Sequence, residues 1–96
     1  MPMIAGVSGG NIDGSLLCSG EGIVINSKLK VVSFIFLTDD GQKEVIMKMN
    51  GNKLNKDACD IVALLQTGTE IYFNEITVVD AQGREALTTP MRLKLK

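Results

Sequence analysis

The chain has 96 residues, enough for one domain with a single modest hydrophobic core. Hydrophobic residues make up 45% and charged residues 22%, a balance typical of a folded globular protein rather than a disordered one. Ten basic residues against eleven acidic ones leave a net charge of −1, which excludes the basic field that attracts nucleic acids and anionic lipids.

The first quarter of the chain predicts short strands separated by turns. Residues 4–7 are a short apolar run that ends in Ser8-Gly9-Gly10, and residues 11–14 carry turn chemistry as well. Residues 16–18 are interpreted as a second short strand and residues 23–25 as a third.

Residues 31–37, VVSFIFL, are the clearest strand. Both of its faces are mostly apolar, so we expect a central strand covered on both sides, with Val32, Phe34 and Phe36 in the core. Residues 38–42 then form a hairpin loop. Residues 44–49 return as a strand, and its alternating Met47 and Met49 are interpreted as core residues.

Residues 55–66 change to the period of a helix. Asn55 is suited to the N-cap, and Asp57 lies in the first turn, where the helix dipole favours a negative charge. Gly68 is expected to stop the helix. An apolar stripe follows the spacing i, i+3, i+4, i+7, formed by Ala58, Ile61, Val62 and Leu65.

Residues 70–79 predict a strand whose apolar phase slips by one position between Phe73 and Ile76. A β-bulge at Asn74-Glu75 would return Ile76 and Val78 to the core face, so this pair is interpreted as a structural feature and not a site. Residues 80–84 predict a second hairpin loop, and residues 85–95 return as a strand in which Pro90 limits pairing.

This order of elements predicts a mainly β fold: a two-layer, sandwich-like structure of residues 1–96 with one α-helix between two long hairpins. The alternative is an α+β barrel resembling the OB-fold, a binding module for single-stranded nucleic acid or oligosaccharide. We expect the terminal segment, residues 89–96, to be an edge strand whose alternating basic residues leave room for one chosen partner.

The residues predict no catalytic, cofactor-binding or metal site. Without histidine, the usual Ser or Cys triads are excluded, and the adjacent Ser27 and Lys28 are no evidence of a dyad. The other polar residues considered as acid–base groups or calcium ligands are interpreted as solvated groups, because they lie in predicted turns, in the predicted helix or at the bulge. They are Asn11 with Asp13, Asp39 with Asp40, Asp57 with Asp60, and Glu75.

The two cysteines, Cys18 and Cys59, form no CxxC pair, so they do not predict a metal site. We expect two free, largely buried thiols, with one disulfide as the alternative. Residues 1–10 lack the basic start and apolar run of a signal peptide, and no stretch approaches the roughly 20 apolar residues of a membrane span. The domain is therefore not expected to contact a membrane directly.

Several short motifs occur in a fixed order: VSGG near the start, VVSFIF, a glycine before the helix, GTEIYFNEITVV, a glycine turn and a final PMRLKL. In this order the chain resembles, from Val7 to Leu95, the C-terminal domain of the GldM/PorM family. Those proteins are the periplasmic shaft of the type IX secretion and gliding-motility machinery of Bacteroidetes.

The resemblance implies a non-enzymatic structural domain that binds other protein subunits of an envelope assembly. It implies a periplasmic location, a homodimer or a weak monomer–dimer equilibrium, and a domain excised from a longer envelope protein. It carries no catalytic residue and no cofactor to this chain. It also favours the structural interpretation of Glu75-Ile76, because the family has an acidic residue followed by Ile at this point of the strand.

Overall fold

A computed structural model describes residues 2–4, 9–18, 22–25, 28–39 and 41–96. In chain order the elements are β1 (Met3–Ile4), β2 (Gly10–Ile12), α1 (Gly14–Cys18), β3 (Ile23–Val24), β4 (Lys30–Asp39), β5 (Glu44–Asn50), α2 (Lys56–Leu64), β6 (Glu70–Val79), β7 (Glu85–Leu87) and β8 (Met91–Leu95).

Six strands form one sheet in the order β2-β8-β6-β4-β5, with β7 beside β6. The β2–β8 pair is parallel and the other pairs are antiparallel. A separate antiparallel ribbon joins β1 and β3. The mainly β prediction is confirmed, although a second helix is present. Among the described residues the sheet is open, with β2 and β5 as its edges. It does not close into a barrel, as the alternative prediction of an OB-like fold would require.

The core lies between one face of this sheet and a second layer made of α1, α2 and the β1–β3 ribbon. A single cluster of buried side chains joins Ile4 and Ile23 of the ribbon, Leu17 of α1 and Val62 of α2 to the sheet. Three phenylalanines fill its centre, where the ring of Phe73 lies 5.6 Å from that of Phe34 and 6.2 Å from that of Phe36.

The prediction for residues 10–18 is wrong. Residues 10–12 are not a turn but β2, which pairs with residues 93–95 of β8. Residues 16–18 are not a strand but the end of α1, because the side chain of Asp13 accepts the N–H of Ser15 (3.3 Å) and its carbonyl accepts the N–H of Leu16 (3.0 Å). These bonds start a helical turn there. The predictions for residues 5–8 and 26–27 lie outside the described residues.

The helix α2 is confirmed with its N-cap, since Asn55 Oδ1 accepts the N–H of Ala58 at 2.8 Å. Its apolar stripe faces the core, with Ala58 and Val62 buried and the other two residues partly buried. The predicted stop is wrong. The helix ends at Leu64 because Leu65 is already extended, and Gly68 instead serves the following turn, where its φ is +92°.

The predicted bulge in β6 is confirmed. Between the pairs Ser33–Thr77 and Ile35–Asn74, the single residue Phe34 faces both Glu75 and Ile76, and Glu75 has a φ of +48°.

A second irregularity lies in β4, between the pairs Val31–Val78 and Ser33–Thr77, where Val32 is the extra residue. This insertion turns Val31 into the core and leaves Val32 only partly buried, so the prediction of Val32 as a core residue is wrong. Each strand thus carries one extra residue, and the ladder has the same register on both sides of the irregular region.

The C-terminal return strand is divided in two. Strand β7 ends at Leu87, the N–H of Thr88 donates to the carbonyl of Ile76 (2.9 Å), and β8 starts after Pro90. The prediction of a terminal edge strand is wrong, because β8 lies between β6 and β2.

The two cysteines are joined by a disulfide, which corrects the expectation of free thiols. Cys18 ends α1 and Cys59 lies in α2, with their Cα atoms 5.9 Å apart, a usual separation for a disulfide. The bond ties the short α1 to the longer α2 across the second layer. The disulfide was only the alternative interpretation, because α1, which brings Cys18 close to Cys59, was not predicted.

Candidate interaction surface

The polar residues considered as possible sites have local structural roles. Asp39 accepts the N–H of Gly41 at 2.8 Å, and Asp13 accepts both the N–H and the hydroxyl of Ser15. Asp60 forms an exposed salt bridge with Lys56 at 3.2 Å, one turn of α2 earlier. Asp57 lies in the first turn of that helix. Asp40 and Ser27 lie outside the described residues.

The structure does not bring these groups together. Glu75 is exposed at its bulge, and Ser33 pairs with Thr77 in the sheet. Among the described residues, no group of three or more His, Cys, Asp or Glu side chains is placed to hold a metal ion. The interpretation of the methionines as core residues is confirmed, since Met49 is buried and Met47 packs against the core.

A larger feature is the face of the six-stranded sheet that points away from the core, which we call the outer face. Because side chains alternate along a strand, Ile35 and Leu37 of β4 point away from the buried Phe34 and Phe36. Both are only partly buried. The expectation that β4 is covered on both sides is therefore wrong for the described chain, in which the second layer lies on the core side alone.

An apolar row crosses the outer face. Leu37 of β4 is paired with Ile46 of β5 on one side and with Tyr72 of β6 on the other. Ile46 is 61% exposed, an unusual fraction for a large aliphatic side chain in a strand. Since an uncovered apolar surface rimmed by polar groups is typical of interaction sites, this row is the best candidate for one.

Charged groups border the row at one end. The hydroxyl of Tyr72 donates a hydrogen bond to Glu70, which raises the pKa of the tyrosine and lowers the pKa of the carboxyl. The cations of Arg92 and Lys94 lower the pKa of Glu70 further. Glu70 is thus firmly ionised at neutral pH, and the end of the outer face carries both signs of charge.

A cleft of about 500 Å³ opens beside these residues. It lies between the hairpin end of β4 and the segment after α2, with Leu37, Glu70 and Tyr72 on one side and Leu65 and Gln66 on the other. Its walls mix apolar surface with hydrogen-bonding groups, as in pockets that bind a side chain of a partner.

A comparison with protein-family models matches residues 24–96 to one described as the GldM C-terminal domain. The chain belongs to this family. The match confirms the resemblance drawn from the sequence motifs and makes this a domain related to gliding motility and type IX secretion. It covers β4 to β8 and α2, so the whole outer face except the part formed by β2 lies within the GldM C-terminal domain.

No curated protein matches the chain at a significant level. Within the described part of this GldM C-terminal domain, neither helix is long and apolar enough to cross a membrane. The sequence analysis did not predict that the outer face is uncovered. The apolar character of this face was visible, because both faces of VVSFIFL are apolar, but the described residues pack a second layer against only one of them.

Proposed function

We propose that this GldM C-terminal domain is a non-enzymatic protein-interaction domain that binds other subunits of an envelope assembly in the periplasm. The observation that carries the proposal is the family match over residues 24–96. The outer face supports it, because a row of apolar side chains with charged neighbours gives a partner both contact area and orientation.

The periplasmic location is supported by the Cys18–Cys59 disulfide. Structural disulfides persist in oxidising compartments, including the bacterial periplasm, and are rare in the cytosol. The test is alkylation of free thiols in acid-quenched cells. We expect neither cysteine to be alkylated until a reductant is added, and alkylation of both cysteines without reductant would contradict the location.

The interaction is tested by photo-crosslinking in the native cell. A benzophenone amino acid replaces Tyr72 on the outer face, and a matched variant carries it at Asp57, which is exposed on α2 in the opposite layer. We expect adducts with envelope proteins of the secretion or gliding machinery from position 72 and far fewer from position 57.

Equal adducts from both positions would show that the outer face has no special role. Adducts with cytosolic proteins alone, or none from position 72 in a correctly folded variant, would contradict the proposed function. The association includes copies of the domain itself, for which we propose a homodimer of weak affinity.

A further inference from the structure

Strand β5 is a long edge of the sheet. It pairs with β4 over seven residues, and no strand of the described chain lies on its other side. The opposite edge, β2, has only three residues. A long exposed edge offers a row of unpaired backbone groups that another strand can join, and proteins usually keep such edges short or covered.

The direction of the β5 backbone groups follows from one hydrogen bond. The N–H of Gly51 donates to the carbonyl of Val32 at 2.7 Å, and these two residues continue the β4–β5 register. Opposed pairs in an antiparallel ladder alternate between hydrogen-bonded and non-hydrogen-bonded. Met49 and Met47 therefore bond to β4, and the N–H and C=O groups of Ile46 and its second neighbours point outward.

Those outward residues are Glu44, Ile46 and Lys48, and their side chains lie exposed on the outer face. Glu44 is paired with Asp39, a like-charged neighbour that destabilises an isolated edge. Neither Glu44 nor Lys48 forms a salt bridge with a described residue. The edge thus presents a negative charge, an exposed aliphatic side chain and a positive charge at alternate positions.

This pattern is complementary to itself. If two copies of β5 lie antiparallel with the two-fold axis at Ile46, Glu44 faces the second copy's Lys48, and Lys48 faces the second copy's Glu44. Ile46 then lies against its own copy, and on the core side Val45 faces the second copy's Met47. Each of the three outward residue pairs exchanges two backbone hydrogen bonds, about six in all.

We propose that the occupant of the β5 edge is a second copy of this chain, paired antiparallel about Ile46 so that one sheet continues through both molecules. The inference rests on the proposed interaction function and gives its homodimer a surface and a register. Charge complementarity selects this register, because a shift by two residues would set Lys48 against the second copy's Ile46 and leave Glu44 without a cation.

The first test reverses charges and follows self-association by sedimentation velocity over a concentration series up to about 1 mM. Lys48→Glu and Glu44→Lys each place like charges opposite one another in the dimer, so we expect either change to raise the dimer Kd about tenfold or more. The double variant restores opposite charges and should return the Kd to within about threefold of the wild type.

The matched control is Lys30→Glu, the same charge change at an exposed residue of β4 beyond the end of β5. It should leave the Kd unchanged. The proposal is overturned if the wild type stays monomeric throughout the series, if Lys48→Glu dimerises as well as the wild type, or if the double variant fails to recover while thermal unfolding shows that it is folded.

The second test reads the register directly. Ile46→Cys sets two thiols opposite each other at a Cα separation of about 5.5 Å, within reach of a disulfide. We expect it to form a covalent dimer under mild oxidation, whereas Lys48→Cys does not, because its copies lie four positions apart, roughly 13 Å. Cross-linking of Lys48→Cys instead would place the axis elsewhere and overturn the register.

These results separate the two proposals. If charge reversal at β5 has no effect while envelope proteins still cross-link at position 72, the edge pairing fails and the interaction function stands. If β5 pairs as described but position 72 captures no envelope protein, the domain dimerises without the proposed function.

Discussion

Phe34 lies at the centre of the core, 1% exposed, where it fills the space opposite the bulge and contacts the ring of Phe73. Truncation of Phe34 to Ala removes the buried ring and leaves a cavity, so we expect a loss of about 3–5 kcal/mol in the free energy of unfolding, measured with urea. Leu64→Ala is the control, at a position of α2 that is 83% exposed. A change within about 0.5 kcal/mol for Phe34→Ala would contradict its burial.

Among the residues that the structure describes, Glu75 is the non-glycine residue whose φ is positive, at +48°. This left-handed conformation costs most side chains about 1–2 kcal/mol, and β-branched residues tolerate it least. We therefore expect Glu75→Gly to raise the free energy of unfolding by up to about 1 kcal/mol and Glu75→Val to lower it by about 1–2 kcal/mol. Thermal or urea unfolding measures both.

The control for this pair is Glu85→Val, at an exposed position of β7 with ordinary strand geometry, where a β-branched residue is acceptable. Equal effects of the two valine substitutions would show that residue 75 does not hold the left-handed conformation. The bulge itself was predictable, because the slip from Phe73 to Ile76 is visible in the sequence; its partner at Val32 was not, because both faces of β4 are apolar.

Among the elements, α1 depends most on a covalent bond. It has five residues, well below the length at which a helix is stable alone, and its end is joined to α2 through Cys18 and Cys59. The two cysteines are 41 residues apart, so the cross-link removes much freedom from the unfolded chain. In the chain-entropy model this stabilises the fold by about 2–4 kcal/mol.

We expect dithiothreitol to lower the urea midpoint of the wild type accordingly. A variant with both cysteines changed to serine should unfold near the reduced midpoint and should not respond to the reductant. If oxidised and reduced wild type unfold at the same urea concentration, the disulfide contributes nothing to stability.

The loop between β6 and β7 is organised by one carboxylate. Asp80 accepts the N–H groups of Gln82 (2.9 Å) and Arg84 (3.0 Å) and also the Nε–H of Arg84 (2.9 Å). The backbone bond from Arg84 is the largest cause of the lowered pKa of Asp80. Bonds that favour the ionised form stabilise the folded state only while the group is ionised.

The sign of the pH dependence follows from this lowered pKa. The stabilisation is fully present above the ordinary Asp pKa and is lost as pH falls through the folded-state value. We expect wild type to be more stable than Asp80→Asn at neutral pH and the difference to shrink in acid. Urea unfolding at a series of pH values measures it, and a difference that stays constant down to pH ~2 would contradict the role of the carboxylate.

At the scale of the whole molecule, the long elements were predictable and the short ones were not. Strands of seven to ten residues and the nine-residue α2 carry several repeats of their own period, which local preference can decide. Residues 10–18 contain too few repeats of either period for local preference to decide their structure. Their structure is decided by β8 and by Cys59, which lie far along the chain.

The same limit applies to the candidate surface. Its apolar residues are evident in the pattern of β4 and β5, but which strand is an edge depends on the order of strands in the sheet. That order is a product of long-range pairing: β8, with its alternating basic residues, resembles an edge and is internal, whereas β5 is the edge. Sequence patterns indicate which side chains share a face and not which strands are neighbours.

The extra residues in β4 and β6 have a genetic consequence. Because Val32 and the bulged Glu75 offset each other, loss of one codon alone moves one half of the β4–β6 ladder by a position relative to the other half. Loss of both leaves an uninterrupted ladder in which Val31, Phe34, Ile76 and Val78 keep their inward direction. A double deletion should therefore fold better than either single deletion, as circular dichroism melting would show, and the two positions are expected to be gained and lost together as genes of this kind diverge.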